Sequence, residues 1–233
     1  MYLVVTLGST IVMMRIFGKY GLFAMLVLSS ILINIQTVKM ADVFGMTLVL
    51  GTISYSSLYL TTDLISEVYG KKSAKIAVWL GFISIILTTF FMQFVLWMKP
   101  APQDFADPAL HTIFSILPRI TLASIIAYIF SQHIDVNLFH FWKRVTNGKH
   151  LWLRNNGSTL ISQMIDSIIF FHIAYFGVMP YNTVWTLIIS TYLFKLMIGV
   201  IDTGFIYMGV NWMKNKKPIY DLEKKINAAE AEL

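Results

Sequence analysis

Asp166 is the one formally charged residue between Gly157 and Phe176, in a run of Leu, Ile, Phe, Met and Tyr long enough to cross hydrocarbon. Around it Thr159, Ser162, Gln163 and Ser167 recur at spacings of three and four, so a helix here carries one polar stripe. A carboxylate at the centre of a membrane helix costs about 2.5–3.5 kcal/mol on insertion scales, so it must face other helices or a wet cavity. Two chemistries fit: a structural tie to a neighbouring helix, or a polar site that grips a solute. Lys195 and Asp202 place two more charges in the last hydrophobic segment, seven residues apart on one face and too distant to pair with each other. An ammonium at Lys195 and a carboxylate at Asp166 would offset each other's burial cost.

Other polar groups gather at the ends of the spans. Thr52, Ser56, Tyr59, Asp63 and Glu67 fall at helical spacing, with Asp63 and Glu67 one turn apart on a shared face. They read either as acceptors in a site or as mouth residues paired with Lys71, Lys72 or Lys75. Asn34, Gln36 and Lys39 cluster at the end of the second span, as ligand donors or as groups meeting lipid headgroups. Arg119 stands just inside a helix start, where the dipole disfavours a cation. A headgroup, Asp42, a ligand carbonyl or another acid would account for it.

Most familiar chemistries are missing. There is no cysteine, which removes disulfides and thiolate metal sites. The five histidines lack HExxH or comparable ligand spacing, so no metal is expected. Neither GxGxxG, GxxxxGK[ST] nor GxSxG occurs, and no cofactor is expected. Asp202–Gly204 spells DTG, but inside a hydrophobic span, where an aspartic-protease loop has no place. An intramembrane enzyme would have to use Asp166 and Asp202 as an acid pair.

The elements that must position these residues are membrane helices. The chain has 233 residues, 57% of them hydrophobic and 13% charged, with mean hydropathy +0.68. Soluble domains carry about 25% charged residues. Seven hydrophobic segments predict one all-α, polytopic membrane bundle. They run from Tyr2 to Met14, Gly21 to Gln36, about Val43 to Leu60, Ile76 to Met98, from Pro118 onward, the Asp166 run, and about Tyr181 to Trp212. Ser73, Ala77 and Gly81 form a small-xxx-small row that lets another helix approach closely. Lys99–Pro118, with four prolines, is the one sizeable outer loop.

The net charge of +6 would hint at nucleic acid in a soluble protein, but here it follows topology. Fourteen of the eighteen Lys and Arg lie in alternate connections and the tail: Arg15 and Lys19, then Lys71 to Lys75, Lys143 to Arg154 and Lys214 to Lys225. The positive-inside rule puts those in the cytoplasm, with the N-terminus outside and the C-terminus inside. No cleaved signal peptide is expected. The organisation reads as an accessory helix (residues 1–20), a six-span core (21–212) and a cytoplasmic tail (213–233).

Five segments together carry a family likeness: NIQTVKMADVFG from Asn34, TDLISEVYGKK from Thr62, PRITLASIIAYIFSQHIDV from Pro118, RNNGSTLISQMIDS from Arg154, and TYLFK from Thr191. In this order they resemble the queuosine-precursor transporter family, also called the vitamin uptake transporter family, from about Gly21 to Val210. The resemblance implies import of 7-deazaguanine bases, queuine and its biosynthetic precursors, across the bacterial cytoplasmic membrane. It also implies a six-helix core similar in plan to the substrate-binding subunits of energy-coupling-factor transporters. The Ala-rich coupling helix of those subunits is not evident, so a role as the vitamin-binding subunit of such a transporter is the alternative.

Expected partners are a purine-like small molecule and the bilayer, without nucleic acid. A homo-oligomer or an energy-coupling module stays open. A deazaguanine presents a ring N–H and an amine side by side, which one carboxylate accepts in bidentate fashion, and a carbonyl that needs a donor. On that reading Asp63, Glu67 and Asp166 supply acceptors, and Asn34, Gln36, Arg119, Gln163 and Lys195 supply donors.

Overall fold

The computed structural model describes residues 1–43, 45–146, 151–215 and 218–219. Helices follow one another as α1 (Tyr2–Phe17), α2 (Lys19–Gln36), α3 (Gly51–Trp97), α4 (Asp107–Phe114), α5 (Leu117–Val145), α6 (Leu151–Tyr175) and α7 (Tyr181–Asn215). Six of the seven hydrophobic segments fall on helices, and the third joins the fourth on α3 only from Gly51; α3 breaks at Gly70 (φ 82°). Among the described residues three stretches are long and apolar enough to cross a membrane: Lys19–Gln36, Lys72–Trp97 and Asp107–Ser131. Tyr2–Phe17 and Leu160–Tyr175 are shorter apolar helices.

One segment departs from the all-α expectation. The third span, expected from about Val43, begins as an antiparallel hairpin of β1 (Met40–Val43) and β2 (Met46–Val49), with Met40 opposite Val49 and Val43 opposite Met46. Gly45 at φ 77° supplies the positive dihedral that a two-residue turn requires. Thr47 donates to Asp42 across the strands at 2.7 Å, and Leu50 N–H closes the base on Lys39 C=O at 2.8 Å. A short apolar run does not by itself distinguish strand from helix, so the sequence pattern runs the hairpin into the span.

Packing divides the chain into two compact units, residues 1–39, 50–88 and 197–233 in the first, and 40–49 and 89–196 in the second. In the first, Leu7, Ile11 and Met14 of α1 join Leu22 and Leu26 of α2 and Leu60, Leu64, Ile65 and Ala77 of α3 in one core. The helix marked off in the sequence as residues 1–20 thus supplies three of that core's side chains. The α1–α2 reversal is tight enough that a Cβ on Gly21 would sit 2.1 Å from the Met13 carbonyl oxygen.

The small-residue row also packs as its spacing predicts. A Cβ on Gly81 would lie 2.7 Å from Ser30 Oγ and 2.8 Å from Leu26 on α2. Hydroxyls tie α3 to both α1 and α2, Thr10 to Ser57 at 2.9 Å and Ser29 to Ser57 at 3.3 Å. The opposite side of α3 exposes Ile76, Trp79, Ile83 and Ile86, a surface suited to lipid.

In the second unit, α5 buries Ile120, Ala123 and Ala127, α6 buries Phe171, Ala174 and Tyr175, and α7 buries Val184, Leu187 and Ile188. Thr89 and Thr121 share a buried hydrogen bond of 2.8 Å. The proline-rich loop contains α4, whose first amides are capped by the Asp104 carboxylate.

Candidate functional site: a buried ion pair on the polar stripe of α6

The α6 stripe is buried. Ser162 and Ser167 are almost fully covered, and Gln163 and Asp166 are half-buried. Asp166 meets α7 through Lys195, whose Nζ donates to Oδ2 at 2.8 Å, with side-chain exposures of 10% for the lysine and 19% for the aspartate. Lys195 reaches its partner because helical side chains lean toward their own N-terminus, here back along α7. Its ammonium also lies 3.5 Å from Ser167 Oγ, while Ser131 Oγ of α5, which has the Tyr128 carbonyl of its own helix at 3.2 Å, stands 3.4 Å from Asp166 Oδ1. Three helices therefore converge on one carboxylate.

The two carboxylate oxygens are held unequally. Oδ2 carries a short charge-assisted bond. The contact of Oδ1 with Ser131 is near the outer limit for a hydrogen bond, so that oxygen keeps acceptor capacity. Side by side, the pair offers an acceptor for N–H groups and a cationic donor for a carbonyl. A flat amide-like edge needs that combination.

The other expected site residues are placed as follows. Arg119, in the same unit, donates from Nε to the Ile173 carbonyl and from a terminal nitrogen to the Phe176 carbonyl, at the C-terminal end of α6. Those carbonyls form the negative end of the helix dipole, which accounts for a cation that was unfavourable on its own helix. Asp42, offered as its partner, is bonded to Thr47 instead. Asn34, Gln36, Asp63 and Glu67 belong to the first unit. Asn34 is buried and its amide donates to Ser30 C=O at 2.9 Å. Gln36 Oε1 accepts from Tyr2 OH at 2.9 Å and from Ser54.

Asp63 and Glu67 lie exposed one turn apart on α3. The structure thus gathers Asp166, Lys195 and the stripe bearing Gln163, and sets Arg119 at the end of α6. The Asp202 side chain lies outside the described residues. Among the described residues no three His, Asp or Glu are grouped to hold a metal. Ser131 was missed, because a lone serine after an apolar span carries no signal in the chain. Tyr2 and Ser54 were missed for the same reason.

Residues 49–209 match the family described as putative vitamin uptake transporter. The chain belongs to this family. The matched segment includes Asp63, Glu67, Arg119, Gln163, Asp166 and Lys195, and leaves Asn34 and Gln36 outside. A probable queuosine precursor transporter of Bacillus subtilis is 40% identical over 85% of this chain and 87% of its own length. A queuosine precursor transporter of Escherichia coli is 28% identical over 66% of each chain. A probable queuosine precursor transporter of Haemophilus influenzae is 28% identical over 65% of this chain and 63% of its own. No solved structure matches the chain. As a member of this transporter family it is a membrane transport protein and not an enzyme, which sets aside the acid-pair reading of Asp166 and Asp202.

Proposed function

We propose that this transporter imports queuosine precursors, the 7-deazaguanine bases, across the bacterial cytoplasmic membrane, and that Asp166 and Lys195 bind the polar edge of the base. The observation that carries this reading is the Asp166–Lys195 pair, held between α6 and α7 and largely withdrawn from solvent, with Ser131 beside its carboxylate. An ion pair in hydrocarbon is weak as a stabilising device, since desolvation offsets much of its attraction. It is well suited to a solute that offers N–H donors beside a carbonyl. The carboxylate accepts the ring N–H and amine, and the ammonium donates to the carbonyl.

Gln163, on the same stripe, is a further donor or acceptor, and the aromatic content of the spans suits a flat base. We assign Asn34, Gln36, Asp63, Glu67 and Arg119 to secondary roles in binding or passage. The core is read as six spans similar in plan to energy-coupling-factor binding subunits, with the N-terminus outside and the C-terminus cytoplasmic, as the charge distribution favours.

Uptake of labelled queuine or its precursor bases into cells unable to make them tests the proposal. Uptake should require this chain and fall to background in Asp166→Asn. No uptake with the intact chain would reject the substrate class, and undiminished uptake by Asp166→Asn would reject the site.

A further inference from the structure

Among the described residues Thr191 Oγ1 has no hydrogen-bond partner, though it is buried on a residue only 3% exposed. Other buried or half-buried threonines have partners: Thr10, Thr37, Thr61 and Thr88 bond back to the carbonyl one turn earlier, and Thr89 and Thr121 bond each other. Thr191 takes neither route. A hydroxyl left unpaired in a buried place is destabilising, and a ligand that completes it is one physical reason for it to persist.

Its position says what that is. Thr191 lies one turn before Lys195 on α7, so the two share a helix face, and the lysine leans back toward it to reach Asp166. Asp166 stands nine residues before the end of α6 at Tyr175, and Thr191 ten residues after the start of α7 at Tyr181. At 1.5 Å per residue both lie about 14 Å from the connecting turn, at a common depth.

We infer that Thr191 is a substrate-contacting residue of the Asp166–Lys195 site, its hydroxyl hydrogen-bonding the polar edge of a flat nitrogen heterocycle that carries N–H donors and a carbonyl. This rests on the proposed site at Asp166. The carboxylate already supplies acceptors, and the hydroxyl adds a neutral donor that an ammonium alone does not provide. In the absence of substrate the hydroxyl stays unpaired, and binding completes it.

The test compares Thr191→Val, which keeps the shape and removes the hydroxyl, with Thr191→Ser, which keeps the hydroxyl. Each full-length protein is assayed for uptake of labelled queuine, and in detergent for melting with and without queuine. Thr191→Val is expected to raise the KM roughly tenfold and to shrink the queuine-induced rise in melting temperature, while its ligand-free melting is equal to or above the parent's. Thr191→Ser is expected to stay near the parent in KM. An unchanged KM and an undiminished melting shift in Thr191→Val overturn the inference. So does a lower ligand-free melting temperature with an unchanged KM, which marks a purely structural hydroxyl. Asp166→Asn in the same assays separates the two claims. If it abolishes uptake while Thr191→Val is silent, Thr191 alone is wrong. If both are silent, the site itself is wrong.

Discussion

Lys195 on α7 and Asp166 on α6 are joined by a 2.8 Å ion pair that is largely withdrawn from solvent. Removing one member leaves the other as an uncompensated charge, whereas removing both leaves neither. Lys195→Met and Asp166→Asn should therefore each lower stability by about 1–3 kcal/mol, less than for a fully buried pair because both groups retain some exposure. The double variant should recover part of that loss. Melting of the four proteins in detergent gives the coupling directly, and a purely additive result would mean that the pair is not formed. Transport should be lost in all three variants, so stability and uptake part company in the double one.

Arg119 holds the C-terminal end of α6 through the carbonyls of Ile173 and Phe176. Arg119→Gln should cost about 1–3 kcal/mol, since carbonyls accepting from a charged donor lose it together. Arg119→Lys should recover only part, because one ammonium does not reproduce the spread of a guanidinium fork. Thermal melting of the two variants checks the order, parent above Lys above Gln.

Glycine substitutions should divide by what a new methyl group meets. Gly21→Ala places a Cβ 2.1 Å from backbone at Met13, and backbone cannot move aside cheaply, so a loss of about 1–3 kcal/mol is expected. Gly8→Ala meets nothing within 4 Å inside α1 and should gain about 0.5–1 kcal/mol from helix propensity. Melting temperatures of opposite sign relative to the parent are the expected readout.

The proposed orientation is open to thiol labelling, because the chain has no cysteine and each introduced one is a clean reporter. Lys99→Cys and Asp104→Cys should react with a membrane-impermeant maleimide in intact cells. Lys72→Cys and Lys216→Cys should react only after the membrane is opened. The reverse pattern would invert the topology drawn from the positive charges.

Local sequence was enough for several features, because the forces behind them act along the chain. Hydrophobic runs of about a helix length placed the helical segments apart from the start of the third, since backbone polar groups in an apolar stretch are satisfied within a helix. The three- and four-residue spacing around Asp166 marked its stripe, and the small-residue row ending at Gly81 marked a close helix contact that the structure has. Lys195 was named as a partner of Asp166 on charge alone, and the geometry joins them.

Tertiary structure decided what depends on residues distant in the chain. The hairpin at Met40–Val49 emerged from cross-strand pairing and a glycine turn within a run whose apolar pattern is ambiguous. Arg119 found its partners more than fifty residues away, at carbonyls that no side-chain pattern advertises. Ser131 came beside Asp166, and Thr191 was buried without a partner among the described residues, only through the packing of helices, because a hydroxyl's surroundings are set by the fold and not by its neighbours in sequence.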